Sequence, residues 1–155
     1  MRYIALIIIG FFLIFTISCT NKNLQNDDKK IVFTKNAPKP IGPYSQAVIA
    51  DDFIYVSGQI AIDETGEIIN GNVVDETRLI MHNISNILKS AGSDLEDVVK
   101  VSIFMTDLTD FKEMNQAYGL FFDGKYPARE TVQVAALPKN ARVEISVIAY
   151  KANEK

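Results

Sequence analysis

Two segments of this chain follow the helical period, whereas six short segments have the apolar, β-branched composition of strands. The first helical segment, 75–91, carries one apolar stripe and is followed by Gly92, a residue type that commonly ends helices. The second follows Asp110, which resembles a capping box together with Glu113. It is predicted to bury five residues: Phe111, Met114, Tyr118, Phe121 and Phe122. Because two helices can cover only one face of a sheet, the pattern predicts an α+β domain.

The predicted strands lie three before the first helix, one between the helices and two after the second. They are 30–34, 46–50, 53–62, 98–106, 131–136 and 143–150. Asp51-Asp52 is predicted to join the second strand to the third as a tight hairpin. The order leaves one sheet face without helices, and large open apolar patches mark interfaces. We therefore predict a six-stranded sheet with two helices on one face and a partner on the other.

Charged residues in apolar strand segments are the first candidates for chemistry. Arg129 stands at the mouth of one such segment, and Glu144 lies inside the next. Arginine offers a planar fork that binds a carboxylate through two hydrogen bonds, and glutamate can hold or activate water. The pair suggests a site for a small carboxylic acid whose reaction consumes water. A surface arginine and an outward-facing glutamate are the alternatives that the residues alone leave open.

The spacing of these two residues raises a geometric question. If the last two strands formed a tight hairpin, Arg129 and Glu144 would lie roughly 20 Å apart at ~3.3 Å per residue. Either the two strands are not direct neighbours, or another subunit completes the site.

The N-terminus has the pattern of an export signal. A basic residue, Arg2, precedes the apolar run 4–17, which is short for a bilayer span of roughly 20 residues. Ser18-Cys19 then resembles a bacterial lipoprotein cleavage site, although Thr16 stands where Leu, Val or Ile is commoner. The predicted divisions are a signal peptide over 1–18, a lipidated tether over 19–29 and one domain over 30–155. This predicts a protein anchored at the bacterial cell envelope through Cys19; an uncleaved anchor and a wrongly assigned start are the alternatives.

Composition excludes several classes of function. A single cysteine cannot form an internal disulfide or a cysteine metal cluster, and the single His82 cannot build a histidine-rich metal site. The net charge of −3 and the lack of a basic run do not favour nucleic-acid binding.

Separated motifs, in a fixed order, carry a resemblance to one family. They are Gly42-Pro43-Tyr44-Ser45-Gln46-Ala47, Val56-Ser57-Gly58-Gln59-Ile60, Asn115-Gln116-Ala117-Tyr118, and the stretch from Pro127 to Pro138 followed by Val143-Glu144-Ile145. From about Lys30 to Ala152 the chain resembles the Rid (YjgF-type) enamine/imine deaminases. The resemblance implies a mostly antiparallel, chorismate-mutase-like sheet, a homotrimer with clefts between subunits, and no cofactor or metal.

The resemblance also implies an activity and roles for particular residues. Family members hydrolyse small reactive enamines and imines, such as 2-aminoacrylate, to 2-oxo acids and ammonia. Arg129 would then bind the substrate carboxylate, and Glu144 would orient water. The implied substrate-binding residues are Tyr44, Ser57, Gly58, Asn115 and, through its backbone N–H, Thr131. A non-catalytic protein that binds small carboxylates or metabolites is the main alternative, because the usual substrates arise in the cytoplasm and the N-terminus of this chain is predicted to be an export signal. Ribonuclease action, attached to some relatives, is disfavoured by the acidic charge.

Several of these residues also have purely structural interpretations. Tyr44 could simply pack, Ser57-Gly58 could form a β-bulge rather than admit a ligand close to the backbone, and Asn115 could be a satisfied buried amide. Two positions depart from the family pattern. Ser146 replaces a second acid, and Glu130 stands where a small residue is frequent. Both departures could change substrate preference.

Overall fold

A computed structural model describes residues 29–151, which form one six-stranded sheet with two α-helices. The strands are β1 Lys29–Val32, β2 Ala47–Ala50, β3 Phe53–Gln59, β4 Val98–Met105, β5 Ala128–Gln133 and β6 Val143–Tyr150. The helices are α1 Val73–Ser90 and α2 Phe111–Gly119. Neither is long and apolar enough to cross a membrane. The predicted signal peptide, Cys19 and the predicted tether up to residue 28 lie outside the described residues.

The sheet has the order β1-β2-β3-β6-β4-β5, in which only β4 and β5 run parallel. β4 therefore separates β5 from β6, so the last two strands of the chain are not neighbours. Asp51-Asp52 forms the predicted hairpin, with Ala50 paired to Phe53 and Asp51 at a φ of 51°. The mostly antiparallel sheet agrees with the predicted fold class.

Both helices cover the same face of the sheet. In β4 and β6 alternate residues are buried beneath them, as period-2 strands require. The core combines these strand residues with the apolar side of the helices: Val101, Ile103, Met105, Val143, Ile145, Val147, Ile80, Ile84, Leu88 and Met114. The opposite face leaves large side chains partly open to solvent, among them Tyr55 at 45 % and Tyr150 at 51 % exposure. We call this second surface the open face.

Helix α1 begins two residues before its predicted start. Asn72 precedes it, and the Asp75 N–H donates to the Asn72 side chain at 2.9 Å, which caps the helix. At the other end Gly92 adopts a φ of +81°, and its N–H donates to the Lys89 carbonyl at 3.1 Å. The predicted glycine stop is confirmed, because a left-handed residue there satisfies carbonyls that the helix leaves free.

The predicted capping box before α2 is wrong. Asp110 holds the N-cap position, but its side chain makes no capping hydrogen bond. The chain instead enters α2 through a short 3₁₀ turn, Leu108–Asp110, in which Asp107 accepts a hydrogen bond from the Thr109 N–H at 2.8 Å. Since Asp107 caps that turn, Asp110 is already inside a helical turn when α2 begins.

The predicted buried set of α2 is only partly correct. Met114 and Tyr118 are buried, but Phe111 is 40 % exposed. Phe121 and Phe122 follow the end of the helix and are partly buried against the core. Helical spacing does not predict the burial of these two residues, because the helix ends at Gly119.

Strand β5 begins three residues earlier than predicted. Ala128, Arg129 and Glu130 pair with β4, and Arg129 lies opposite Val101. Arg129 is therefore a residue of the strand itself, rather than of the segment before it. Because β5 is an edge strand, it tolerates charged residues that a central strand would not, so the apolar pattern did not reveal where the strand begins.

Candidate active site

Glu144 lies on the open face of β6, where it faces a small cavity. Its strand neighbour is Phe104 of β4, whereas Val143 and Ile145 on either side of it are buried in the core. The cavity holds about 210 Å³. Its lining includes four of the predicted site residues: Tyr44, Ser57, Gly58 and Glu144.

A β-bulge in β3 makes room for the Glu144 side chain. Val56 pairs with Val147 and Gln59 with Ile145, so Ser57-Gly58 together stand opposite a single residue of β6. A Cβ added to Gly58 would lie 1.9 Å from Glu144 Oε1. The bulge interpretation is confirmed, and the Glu144 carboxyl explains why the residue is glycine. Direct ligand approach to Gly58 stays a prediction.

The wall of this cavity is fixed by a buried glutamine that the sequence did not single out. Gln46 is 2 % exposed, and its side chain accepts from the Thr34 N–H at 2.7 Å. Its amide group donates to the carbonyls of Thr34, Ala37 and Pro38 at 3.1, 3.3 and 2.8 Å. One side chain thus ties the proline-rich loop to the start of β2.

Tyr44 and Ser57 are held in place by local hydrogen bonds. The Tyr44 hydroxyl accepts from the Ile41 N–H at 3.1 Å, and the residue, which lines the cavity, is 45 % exposed. The Ser57 hydroxyl donates to the Ser45 carbonyl at 2.6 Å. Simple packing does not explain Tyr44, because nearly half of its surface is open.

The environment of the Glu144 carboxyl alters its protonation. Burial raises its pKa above the ordinary value. Within residues 29–151 it makes neither an ion pair nor a side-chain hydrogen bond that would oppose this shift. A base whose pKa is moved toward the working pH transfers protons more effectively.

Arg129 belongs to a second cavity, of about 410 Å³, on the helix-covered side of β5. Asn115 and Tyr118 of α2 line it with Arg129. The Arg129 guanidinium carbon lies 4.9 Å from the centre of the Tyr118 ring and 5.8 Å from that of Phe111. These two rings, two helical turns apart, support the guanidinium through cation–π contact. In the described part of the chain it has no carboxylate partner.

Three buried polar atoms near Arg129 have no hydrogen-bond partner among the described residues. They are Asn115 Oδ1, the Tyr118 hydroxyl and Thr131 Oγ1. An unsatisfied buried polar group costs about 1–3 kcal/mol, so a group of them in one region calls for an explanation such as a bound ligand or water. A satisfied buried amide does not explain Asn115, because its oxygen has no partner.

The predicted site residues thus form two separate groups. Tyr44, Ser57, Gly58 and Glu144 surround the first cavity, which we call the glutamate half-site. Asn115 and Arg129 line the second, and Thr131 follows Arg129 on the same side of β5. These three, with Tyr118, form what we call the arginine half-site. Sequence reasoning placed Tyr118 in the core alone, although its spacing from Asn115 and Phe111 puts all three on one side of the helix.

The two departures from the family pattern both lie on the open face. Glu130 forms an ion pair with Lys100 and accepts a hydrogen bond from the Ser102 hydroxyl. Ser146 pairs with Ser102 across β4 and β6. Neither residue lines the two cavities.

The fold and these half-sites define a small α+β protein of the Rid type, and residues 34–151 match the family model described as Endoribonuclease L-PSP. The chain belongs to that family, which confirms the resemblance seen in its motifs. It is 50 % identical over 124 residues to a RutC family protein of Pyrococcus horikoshii, covering 79 % of this chain and 98 % of the relative. It is 46 % identical over 124 residues to the 2-iminobutanoate/2-iminopropanoate deaminase of Mus musculus, covering 79 % and 92 %.

Solved structures agree with the fold. TdcF of E. coli, crystallised with bound serine, is 42 % identical and superimposes with a TM-score of 0.76 over 79 % of this chain and 99 % of TdcF. A member of the conserved Rid protein family from Yersinia pestis is 44 % identical, with a TM-score of 0.77 over 79 % and 98 %. These likenesses confirm the predicted fold class.

Proposed function

We propose that this protein hydrolyses small reactive enamines and imines to 2-oxo acids and ammonia, as a deaminase of the 2-iminobutanoate/2-iminopropanoate type. The observation that carries the proposal is the half-buried Glu144 carboxyl, which faces a cavity. Burial raises the pKa of this carboxyl, and it has no ion-pair or hydrogen-bond partner among the described residues. Relatives that are 43–47 % identical bear the name of this deaminase.

The reaction needs only positioning and one proton acceptor. Arg129 binds the substrate carboxylate through two N–H groups. An enamine first takes a proton at its terminal carbon and loses one from its nitrogen, which gives the imine. Water then adds to the imine carbon while Glu144 takes one of its protons and passes it to the nitrogen, which gives a carbinolamine. Glu144 next transfers the carbinolamine hydroxyl proton to the nitrogen, the carbon–oxygen double bond forms as the carbon–nitrogen bond breaks, and ammonia leaves behind a 2-oxo acid. Imines hydrolyse readily, so correct orientation supplies much of the effect.

We further propose that two copies of the chain assemble each site within a homotrimer. Arg129 and Glu144 belong to half-sites on opposite faces of one sheet, so a second copy would bring a glutamate half-site to an arginine half-site. The open face carries exposed aromatic side chains such as Tyr55 and Tyr150, as expected of a surface that packs against a partner.

A non-catalytic function is the competing proposal. The arginine half-site offers a guanidinium and three unsatisfied polar atoms, which suffice to bind a small carboxylate without chemistry. The export signal predicted at Cys19 supports this alternative. The same signal is the reason to propose a location at the bacterial cell envelope. Ribonuclease action, which the family description names, is not favoured by a chain of net charge −3.

Ammonia release from freshly generated 2-aminoacrylate tests the enzymatic proposal. The purified full-length protein should accelerate release, and Glu144→Gln should abolish most of that acceleration. If wild type turns over no small imino acid yet binds 2-oxobutanoate, the binding-protein alternative replaces the deaminase.

A further inference from the structure

Tyr118 combines three properties that a core tyrosine does not need. It is 3 % exposed, yet its hydroxyl has no hydrogen-bond partner within residues 29–151. It lines the same cavity as Arg129, and its ring lies 4.9 Å from the guanidinium carbon. A phenylalanine would fill the core equally well without leaving a buried hydroxyl unsatisfied.

The Tyr118 hydroxyl is suited to donate a hydrogen bond. Burial raises the pKa of Tyr118 to about 12, although the nearby Arg129 charge opposes this shift. The group therefore keeps its proton at neutral pH. A neutral hydroxyl in the same cavity as a guanidinium can donate a hydrogen bond to an anion bound there.

The ring of Tyr118 has a separate effect on Arg129. Together with Phe111, 5.8 Å from the same guanidinium, it supports the flat face of the group. This contact leaves the N–H edges of the guanidinium free for a planar carboxylate. A lysine in place of Arg129 would lack both the flat face that stacks on these rings and the two-pronged edge that binds a carboxylate.

We propose that Tyr118 is a substrate-binding residue of the arginine half-site: its ring orients the Arg129 guanidinium, and its hydroxyl donates a hydrogen bond to the substrate carboxylate. This inference rests on the proposed function, since it assigns Tyr118 to the same carboxylate.

Binding of 2-oxobutanoate to the full-length protein, measured by calorimetry, tests the inference alongside thermal unfolding. Tyr118→Phe keeps the ring and removes the hydroxyl; we expect affinity to fall about tenfold, the scale of one hydrogen bond to a charged group. Its melting temperature should stay the same or rise, because an unsatisfied buried group has been removed. Tyr118→Leu should lose further affinity, since it also removes the support beneath Arg129. Arg78→Lys, at an exposed arginine paired with Asp75 on α1, is the control for Arg129→Lys and should bind as wild type does.

The outcomes separate this inference from the proposed function. Unchanged affinity in Tyr118→Phe, with affinity lost in Arg129→Lys, overturns the role of the hydroxyl and leaves the carboxylate clamp standing. A lower melting temperature in Tyr118→Phe would show that the hydroxyl has a structural partner, and would also overturn the inference. Unchanged affinity in Tyr118→Leu would remove the role of the ring. If Arg129→Lys binds as wild type does, or wild type binds no 2-oxo acid, Arg129 does not bind the substrate carboxylate. The proposed role of Tyr118 is then also overturned.

Discussion

Arg129 and Glu144 lie on opposite faces of the same sheet, with β4 between their strands. Arg129 pairs with Val101, a residue buried under the helices, whereas Glu144 pairs with Phe104 on the open face. Their strands are separated by about two spacings of 4.8 Å, and the paired positions differ by three residues along β4. A small imino acid therefore cannot contact both side chains within one chain.

Complementation between inactive variants should reveal a shared site. Arg129→Ala and Glu144→Ala should each be inactive, but co-expressed they should regain about a quarter of wild-type activity, because a site between subunits can take its arginine from one variant and its glutamate from the other. The measurement is imine hydrolysis by the purified mixture. Activity that stays at the level of the single variants would place both residues in a site within one chain.

Arg129→Lys should lower kcat/KM about tenfold or more, although the positive charge is kept. An ammonium group cannot form the two parallel hydrogen bonds of a guanidinium, nor does it stack in the same way on Tyr118. Steady-state kinetics with 2-iminobutanoate provide the measurement. Arg78→Lys, at an exposed arginine paired with Asp75 on α1, is the control and should leave activity unchanged. Equal rates for Arg129→Lys and wild type would remove the clamp from the mechanism.

Gly58→Ala should impair activity more than folding. A Cβ at this position would lie 1.9 Å from Glu144 Oε1 and 2.7 Å from its Cδ, so the carboxyl must move away. The main-chain φ of Gly58 is not in the left-handed region, so alanine adds no backbone strain there. We expect a loss of about tenfold or more in kcat, on the scale of lost general-base catalysis.

Gly71→Ala is the matched control for Gly58→Ala. The nearest atom to its added Cβ would be Ile69 Cγ2 at 4.0 Å, an ordinary contact. Activity in the control should equal that of wild type. If Gly58→Ala also retains full activity, the position of the Glu144 carboxyl is not critical.

The pH dependence of turnover should report the Glu144 carboxyl. Since burial raises its pKa, kcat should increase with pH through that raised value rather than through the ordinary carboxyl range. Glu144→Gln should lower kcat by about 10²–10⁴ and remove this acid limb. A wild-type acid limb that persists in Glu144→Gln would assign the base to another group.

The pH dependence of the free energy of unfolding provides an independent measurement of the raised pKa of Glu144. Between the ordinary and the raised pKa the folded protein binds more protons at Glu144 than the unfolded chain, so the contribution of Glu144 to stability falls as pH rises. The free energy of unfolding of Glu144→Gln should therefore increase relative to that of wild type as pH rises through this window. Glu76, whose pKa is also raised by burial, is common to both proteins and does not affect the difference.

Cys19→Ala should release the protein from the membrane fraction or block its maturation. The reason is the run 4–17 that ends in Ser18-Cys19 and precedes a polar segment. Cell fractionation and the mass of the mature chain provide the measurement. An alanine variant that stays membrane-bound at full length would make the segment an ordinary anchor.

The sequence by itself determined the elements whose signals are local. The apolar stripe of α1, its stop at Gly92, the hairpin at Asp51-Asp52 and the bounds of β6 followed from periodicity and turn chemistry. These features depend on residues within a few positions of one another. The motifs likewise indicated the family and most of the candidate residues, because they are short and separately recognisable.

Only the tertiary structure decided how those elements meet. The placement of β6 between β3 and β4 pairs residues that are nearly a hundred positions apart, as Phe53 and Tyr150 show. Such pairing depends on how the whole core packs, so no local pattern predicts it. The same arrangement puts Arg129 and Glu144 on opposite faces, brings Tyr118 beneath the guanidinium, and leaves at Gly58 the space that the Glu144 carboxyl fills.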